Sequence, residues 1–202
     1  MNALVVYCHP RPQSFTAAVR DTVVQALEAG GHVVKLIDLY GEGFDPVMSA
    51  EERHGYHDEG PNIVPVRDHV ERLGWAEMVV FVYPTWWFGL PAMLKGWLER
   101  VLVPGFAFQM PDEKTGTRPL LQKIRRVVGV TTCGATPLTS WLMGQPGRRT
   151  LLRGFRSVCH PLCRTDYLAL YRMDTVSPED RVRHLARVRR KILSLRVKKP
   201  KG

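Results

Sequence analysis

Four side chains able to hold an anion fall within eight residues near the start of the chain. The segment is His9-Pro10-Arg11-Pro12-Gln13-Ser14-Phe15-Thr16, and His9, Arg11, Ser14 and Thr16 all carry donors. Ser14 stands immediately before a helical pattern, where a serine serves as an N-cap. The free N–H groups of a helix start suit a phosphate. The segment fits neither G-x-G-x-x-G nor G-x-x-x-x-G-K-[ST], which argues against a dinucleotide-binding Rossmann turn or a nucleoside triphosphatase. An ordinary capped loop needs no more than Ser14, so this segment alone does not define a site.

A second segment, Pro84-Thr85-Trp86-Trp87-Phe88-Gly89-Leu90-Pro91, places three adjacent aromatics directly after an apolar run. Neighbouring residues point in different directions, so the three cannot all be core. Aromatics in such a place make walls for a planar ligand, and packing on a neighbouring subunit is compatible with the same exposure. Gly89 lets backbone approach closely. A third segment, Thr131-Thr132-Cys133-Gly134-Ala135-Thr136, is built of small residues against which a flat ring can lie. Phosphate at one end and a planar ring at the other is the description of a flavin.

These segments need elements to hold them. Residues 2–8 (NALVVYC) read as a buried strand, followed by a helix from Ser14 that carries Phe15, Ala18, Val19, Val23, Ala26 and Leu27 on one face and stops at Gly30-Gly31. His32–Asp38 is a second strand, and Leu39–Pro65 a long polar loop. Val66–Trp75 reads as a helix, and Met78–Tyr83 as a central parallel strand ended by Pro84. Leu90–Val103 is helical and 109–119 a turn-rich excursion. Ile124–Thr132 is a strand, 137–155 helical material broken at 144–147, and Arg164–Tyr171 the last strand. A Ser177 cap, Pro178 and two acids then open a closing helix. Five strands alternating with helices predict an α/β domain, a doubly wound parallel sheet with helices on both faces. Ligands in such sheets bind outside the carboxyl ends of the strands, which selects the loops 9–14, 84–89 and 132–140. The domain is expected over 1–195, with a basic tail at 196–202.

The chain's 202 residues and 24% charged content fit one globular domain. The net charge of +10 is local: residues 181–202 hold ten Lys/Arg and no acid, while 1–180 hold 19 of each sign. That distribution argues against nucleic-acid binding and leaves a peripheral contact of the tail with a membrane or anionic partner. No signal-peptide pattern opens the sequence, and no apolar run approaches the roughly 20 residues of a membrane span, so a cytoplasmic protein is expected. Cys159-His160-Pro161-Leu162-Cys163 has metal-ligand types, but no second ligand pair follows at zinc spacing; the four cysteines are read as small buried residues, and no metal is expected.

The segment from Tyr83 to Arg100, YPTWWFGLPAMLKGWLER, closely resembles the flavodoxin-like NAD(P)H quinone dehydrogenases of the DT-diaphorase type. His9 with Ser14-Phe15, Asp38-Leu39-Tyr40 with Phe44-Asp45-Pro46, and Thr131-Thr132-x-Gly134 match the same family, so the resemblance runs over roughly residues 2–175. It implies a flavodoxin-like fold and a bound flavin, FAD ahead of FMN. NAD(P)H would be the electron donor, and the protein a homodimer with the active site at the interface. On the matching positions, His9, Ser14, Phe15 and Thr16 would hold the phosphate end. Pro84, Thr85, Trp86, Trp87 and Phe88 would line the ring, and Thr131, Thr132 and Gly134 would contact its polar edge. Glu99 stands where FAD-binding members place an acid near the adenosine half.

The chain departs from the family at several positions. Thr16 replaces an Asn and Cys133 a Gly. The tyrosine that polarises the reduced ring would fall near Thr139, and its companion histidine is absent; Arg148 or Arg149 is the expected substitute for that charge. The implied reaction is a two-electron hydride shuttle from NAD(P)H to a quinone or similar flat acceptor, with no side-chain nucleophile. Two rival readings are a flavin-binding ancillary subunit of a membrane transporter, which the basic tail would suit, and a flavodoxin-type electron carrier.

Overall fold

The structure is a computed structural model that describes residues 1–111 and 116–195. The expected basic tail at 196–202 lies outside the described residues.

Five strands form one parallel sheet. They are β1 (Asn2–Tyr7), β2 (Val33–Asp38), β3 (Met78–Thr85), β6 (Arg126–Cys133) and β7 (Arg164–Leu170). Their order across the sheet is β2-β1-β3-β6-β7, every pair parallel. The expected flavodoxin-like, doubly wound five-stranded sheet is therefore the observed fold, with the strand order reversing between β1 and β3. A two-residue ribbon, β4 (Phe108–Gln109) with β5 (Arg118–Pro119), stands apart from it.

Residue type explains the layering. In β3, Met78 to Pro84 are all buried, as a central parallel strand requires. One face packs Ala3, Val5, Tyr7, Val80, Val82, Val128 and Val130 under α1 (Phe15–Ala29) and α7 (Pro178–Leu193). The other packs Leu4, Val6, Val79, Phe81 and Tyr83 under α3 (Arg67–Trp75), α4 (Ala92–Val101) and the segment 151–155. Gly96 in α4 is fixed by contact, since a Cβ there would stand 2.1 Å from the Pro46 carbonyl oxygen.

Pro84 does not end β3. The strand runs on to Thr85, pairing Pro84 with Thr132 and Thr85 with Cys133. The Cys8 N–H donates to the Val82 carbonyl at 3.0 Å, so Val82 and, two residues on, Pro84 face the β1 side. The bond that would come next, from the N–H of residue 84 to the Cys8 carbonyl, is the one Pro84 cannot make, so pairing with β1 stops at Tyr7 while β3 runs on against β6.

The loop 39–65 contains α2 (Ala50–His54) and a 3-10 helix, Pro61–Val66. The helical material after β6 is divided as expected, into α5 (Pro137–Leu142) and α6 (Pro146–Arg149), the latter continuing as a π-helical turn through Phe155. Gln145 breaks the two with a left-handed φ of 49°.

Candidate functional site

The carboxyl ends of β1, β3, β6 and β7 open into one cleft of about 620 Å³. Its wall contains His9, Ser14, Phe15, Thr16, Pro84, Thr85, Trp86, Trp87, Thr132 and Gly134, all expected from the sequence, together with Cys133, Met173 and Asp174.

The first loop is a donor set. Ser14 caps α1, its Oγ accepting from the Ala17 N–H at 3.1 Å. Among the described residues the N–H groups of Phe15 and Thr16 find no acceptor, so both remain for a ligand. The Arg11 N–H donates to His9 Nδ1 at 3.0 Å. That bond assigns the remaining imidazole proton to Nε2. Burial holds His9 below its ordinary pKa, so it meets the cleft as a neutral donor. Its ring lies 6.2 Å from that of Trp86, joining the donor loop to the aromatic loop.

The aromatic loop is strained. Trp87 and Phe88 take φ of 49° and 61°, and the Gly89 N–H donates to the Trp86 carbonyl at 2.9 Å. Two successive positive φ values mark a type I′ turn, which favours Asn and Gly rather than bulky aromatics. Each left-handed non-glycine residue costs on the order of 1–3 kcal/mol. The turn is braced from behind: a Cβ on Gly147 of α6 would lie 3.0 Å from the Gly89 carbonyl carbon. The strain leaves the Trp87 side chain 95% exposed at the cleft.

The third loop forms the floor. Thr132 Oγ1 stands 3.5 Å from Thr16 Oγ1, tying β6 to the first turn of α1. Gly134 faces Asp174, whose Oδ2 would be 2.6 Å from a Cβ.

Four expected residues lie outside the cleft wall. Thr131 is buried beneath it, sharing a 2.9 Å hydrogen bond with Thr85 Oγ1. Thr139 lies in α5, where its N–H and hydroxyl both bond the capping Thr136 Oγ1. Phe88, at the second left-handed position of the turn, is not part of the wall. Glu99 is exposed on α4 and pairs with Lys95 one turn earlier. Arg148 and Arg149 also lie outside, in a neighbouring cavity with Trp141 and Gln145; Arg148 donates to Gln145 Oε1 at 2.8 Å and covers the Tyr167 ring. The residues missed by the sequence reading are Met173 and Asp174. Their signal was available, because the loop after the fifth strand opens on the same sheet edge as the other three.

The cleft fits a flavin on these observations: unpaired N–H groups and a neutral imidazole at one end, flat aromatic and backbone surfaces at the other, and Gly134, where an added Cβ would meet the Asp174 carboxylate. Among the described residues no helix is long and apolar enough to cross a membrane.

Residues 1–195 match a family described as having a flavodoxin-like fold. The chain is 30% identical over 151 residues to ribosyldihydronicotinamide dehydrogenase (quinone) of Pongo abelii, covering 67% of this chain and 64% of that protein. It is 36% identical over 122 residues to NAD(P)H dehydrogenase (quinone) 1 of Rattus norvegicus, covering 52% and 44%. The matched regions thus span less than two thirds of these curated relatives. Among solved structures, NAD(P)H:quinone oxidoreductase from Methanothermobacter marburgensis superposes with a TM-score of 0.81 at 25% identity, covering 98% of each chain.

Proposed function

We propose that this chain, which belongs to the flavodoxin-like-fold family, is a flavin-dependent NAD(P)H oxidoreductase that reduces quinones or similar flat acceptors. The observation that carries the reading is the cleft itself, with helix-start donors at one end and an exposed, strained tryptophan at the other. A bound flavin would supply the two-electron hydride chemistry. The protein's share is placement and charge. Phe15 and Thr16 N–H, Ser14 and His9 Nε2 hold the phosphate end. Pro84, Thr85, Trp86 and Trp87 form one wall for the ring, and Thr132, Cys133 and Gly134 the other. The open side beside Trp87 receives the nicotinamide and then the acceptor.

FAD is the flavin proposed, on the resemblance; FMN carries the same ring and phosphate and is the other outcome of a titration. A second copy of the chain is the proposed partner. Leu138, Trp141, Leu142 and Met143 on and after α5 are each more than half exposed, an apolar surface of the kind an interface covers. A cytoplasmic location belongs to the same reading, supported by four free cysteines. The names of the matching relatives favour a reductase over a transporter subunit or an electron carrier.

The test is anaerobic addition of NADH or NADPH to the flavin-loaded protein. Loss of the flavin absorbance, restored by a quinone, supports the reading. A bound flavin that neither nucleotide bleaches overturns it.

A further inference from the structure

Among the described residues β7 is an open edge of the sheet, with β6 on one side and no strand on the other. The Arg164 N–H donates to the Arg125 carbonyl at 3.0 Å, and Arg126 is the residue paired with Arg164. Arg164 thus turns both of its backbone groups toward β6, and so does every second residue after it, Asp166, Leu168 and Leu170. Thr165, Tyr167 and Ala169 turn theirs outward. Among the described residues no hydrogen bond reaches the N–H or C=O of these three. They form a row of donors and acceptors spaced for one more strand.

The edge lies between two basic walls. On the α7 side, a cavity of about 450 Å³ holds Arg187, Arg190 and Lys191 beside Tyr167 and Leu168. On the other face, Arg149 and Arg153 stand beside Thr165 in a cavity of about 300 Å³, and Arg148 covers the Tyr167 ring at 5.4 Å. At the amino end of β7, a cavity of about 710 Å³ shares Thr165 with one wall and Lys191 with the other, and adds Arg126, Arg156 and Arg164. Among the described residues the one carboxylate lining these cavities is Asp166, already engaged by Arg126 at 2.5 Å and by Lys191. Arg153, Arg164, Arg187 and Arg190 are exposed and make no ion pair among the described residues. The balanced charge of residues 1–180 is therefore not spread evenly: the fold gathers cations along this edge.

We propose that the β7 edge binds an extended acidic peptide segment of another protein, which adds beside β7 as a further strand. The backbone of that segment would satisfy Thr165, Tyr167 and Ala169. Its carboxylates, pointing alternately to the two sheet faces, would meet the two walls. Three arguments choose this occupant. A second copy of β7 would set like charge against like. The chain's own residues 196–202 carry four Lys/Arg and no acid, the same sign as the walls. A lipid or nucleic-acid phosphate matches the charge but brings no N–H to the outward carbonyls, which a peptide backbone supplies.

The full-length protein is titrated into a fluorescein-labelled peptide of repeated Glu-Glu-Val, and into the same peptide N-methylated at its Glu amides, with binding read by anisotropy. Consecutive residues turn their N–H groups to opposite edges of a strand, so this methylation blocks both edges. The two peptides carry identical charge, so any attraction to the basic tail is common to both. The unmethylated peptide is expected to bind at least about tenfold more tightly. Replacing Arg187→Glu and Arg190→Glu together, with the tail intact, is expected to weaken it at least about tenfold. Equal affinity for the two peptides overturns the proposal, because charge alone then accounts for binding. Absence of binding overturns it too, as does unchanged affinity in the double variant. Tighter binding to phosphatidylglycerol vesicles or to a polythymidylate strand than to the peptide, at the same ionic strength, also overturns it. The two-peptide comparison needs no variant to fold and no flavin to bind.

Discussion

Asp174 Oδ2 stands 2.6 Å from where a Cβ on Gly134 would be, so the Asp174 carboxylate, past the end of β7, occupies the space a side chain at position 134 would take. Asp174 makes no ion pair among the described residues and faces the cleft. Gly134→Ala must push this carboxylate aside, and flavin affinity is expected to fall about tenfold, the equivalent of about 1.4 kcal/mol. In an Asp174→Ala background the same change should cost measurably less, because the displaced atom is gone. A double-mutant cycle read by flavin titration checks this; additive losses contradict it.

Trp87 sits in a left-handed conformation with its side chain almost wholly in solvent. Trp87→Gly relieves the backbone while giving up little packing. The flavin-free protein, at a concentration dilute enough to be monomeric, is expected to gain roughly 1 kcal/mol, read as an upward shift of about 2–4 °C in Tm. Flavin affinity should fall at the same time, since one wall of the cleft is lost. A less stable variant, or unchanged affinity, contradicts the prediction.

The His184 imidazole is buried on α7 beside Phe15, at 6.2 Å between rings, and burial, then the Arg187 charge, lowers its pKa to about 4. Against an unfolded value near 6.5 this corresponds to roughly 3 kcal/mol. The sign follows from proton counting: between these values the unfolded chain binds a proton that native His184 does not. Stability should therefore fall as pH drops from about 6.5 to about 4 and level off below. His32 and His69, also depressed by burial, act in the same direction. Urea titrations of His184→Leu should show a shallower loss than wild type across this window.

The apolar surface on α5 gives a prediction about assembly. Trp141→Glu changes an exposed residue, so the monomer's fold should be kept, with stability within about 0.5 kcal/mol. Sedimentation should shift from dimer toward monomer. A wild-type protein that already sediments as a monomer contradicts the proposed homodimer.

Most of the fold was legible in the sequence because its signals are local. Apolar runs fixed β1, β3 and β6; Ser14 and Ser177 cap α1 and α7 where their types predict. The extent of β3 was not legible, because whether Pro84 breaks a strand depends on which neighbour its N–H would face. Cleft residues on strand ends and on the turn after β3 were legible, since topology alone brings them together. The positions that lie outside the cleft wall are those where side-chain direction decides. Glu99 turns to Lys95 along its own helix, Thr139 turns back to Thr136, and Arg148 is drawn to Gln145 and Tyr167. Their spacing is correct for a site, but local partners take them first. Met173 and Asp174 carry no motif and enter only through the place where β7 ends.

The central claim is that the cleft between the loops after β1, β3 and β6 is a flavin site gripped at its phosphate. Titration of the protein into FMN, FAD and riboflavin, followed by flavin fluorescence, tests it most directly. The account predicts saturable quenching at one flavin per chain for FMN or FAD, caused by the neighbouring tryptophans. Riboflavin, which lacks the phosphate that Phe15 and Thr16 N–H would hold, should bind at least about tenfold more weakly. Quenching that never saturates, or riboflavin binding as tightly as the phosphorylated flavins, would contradict it.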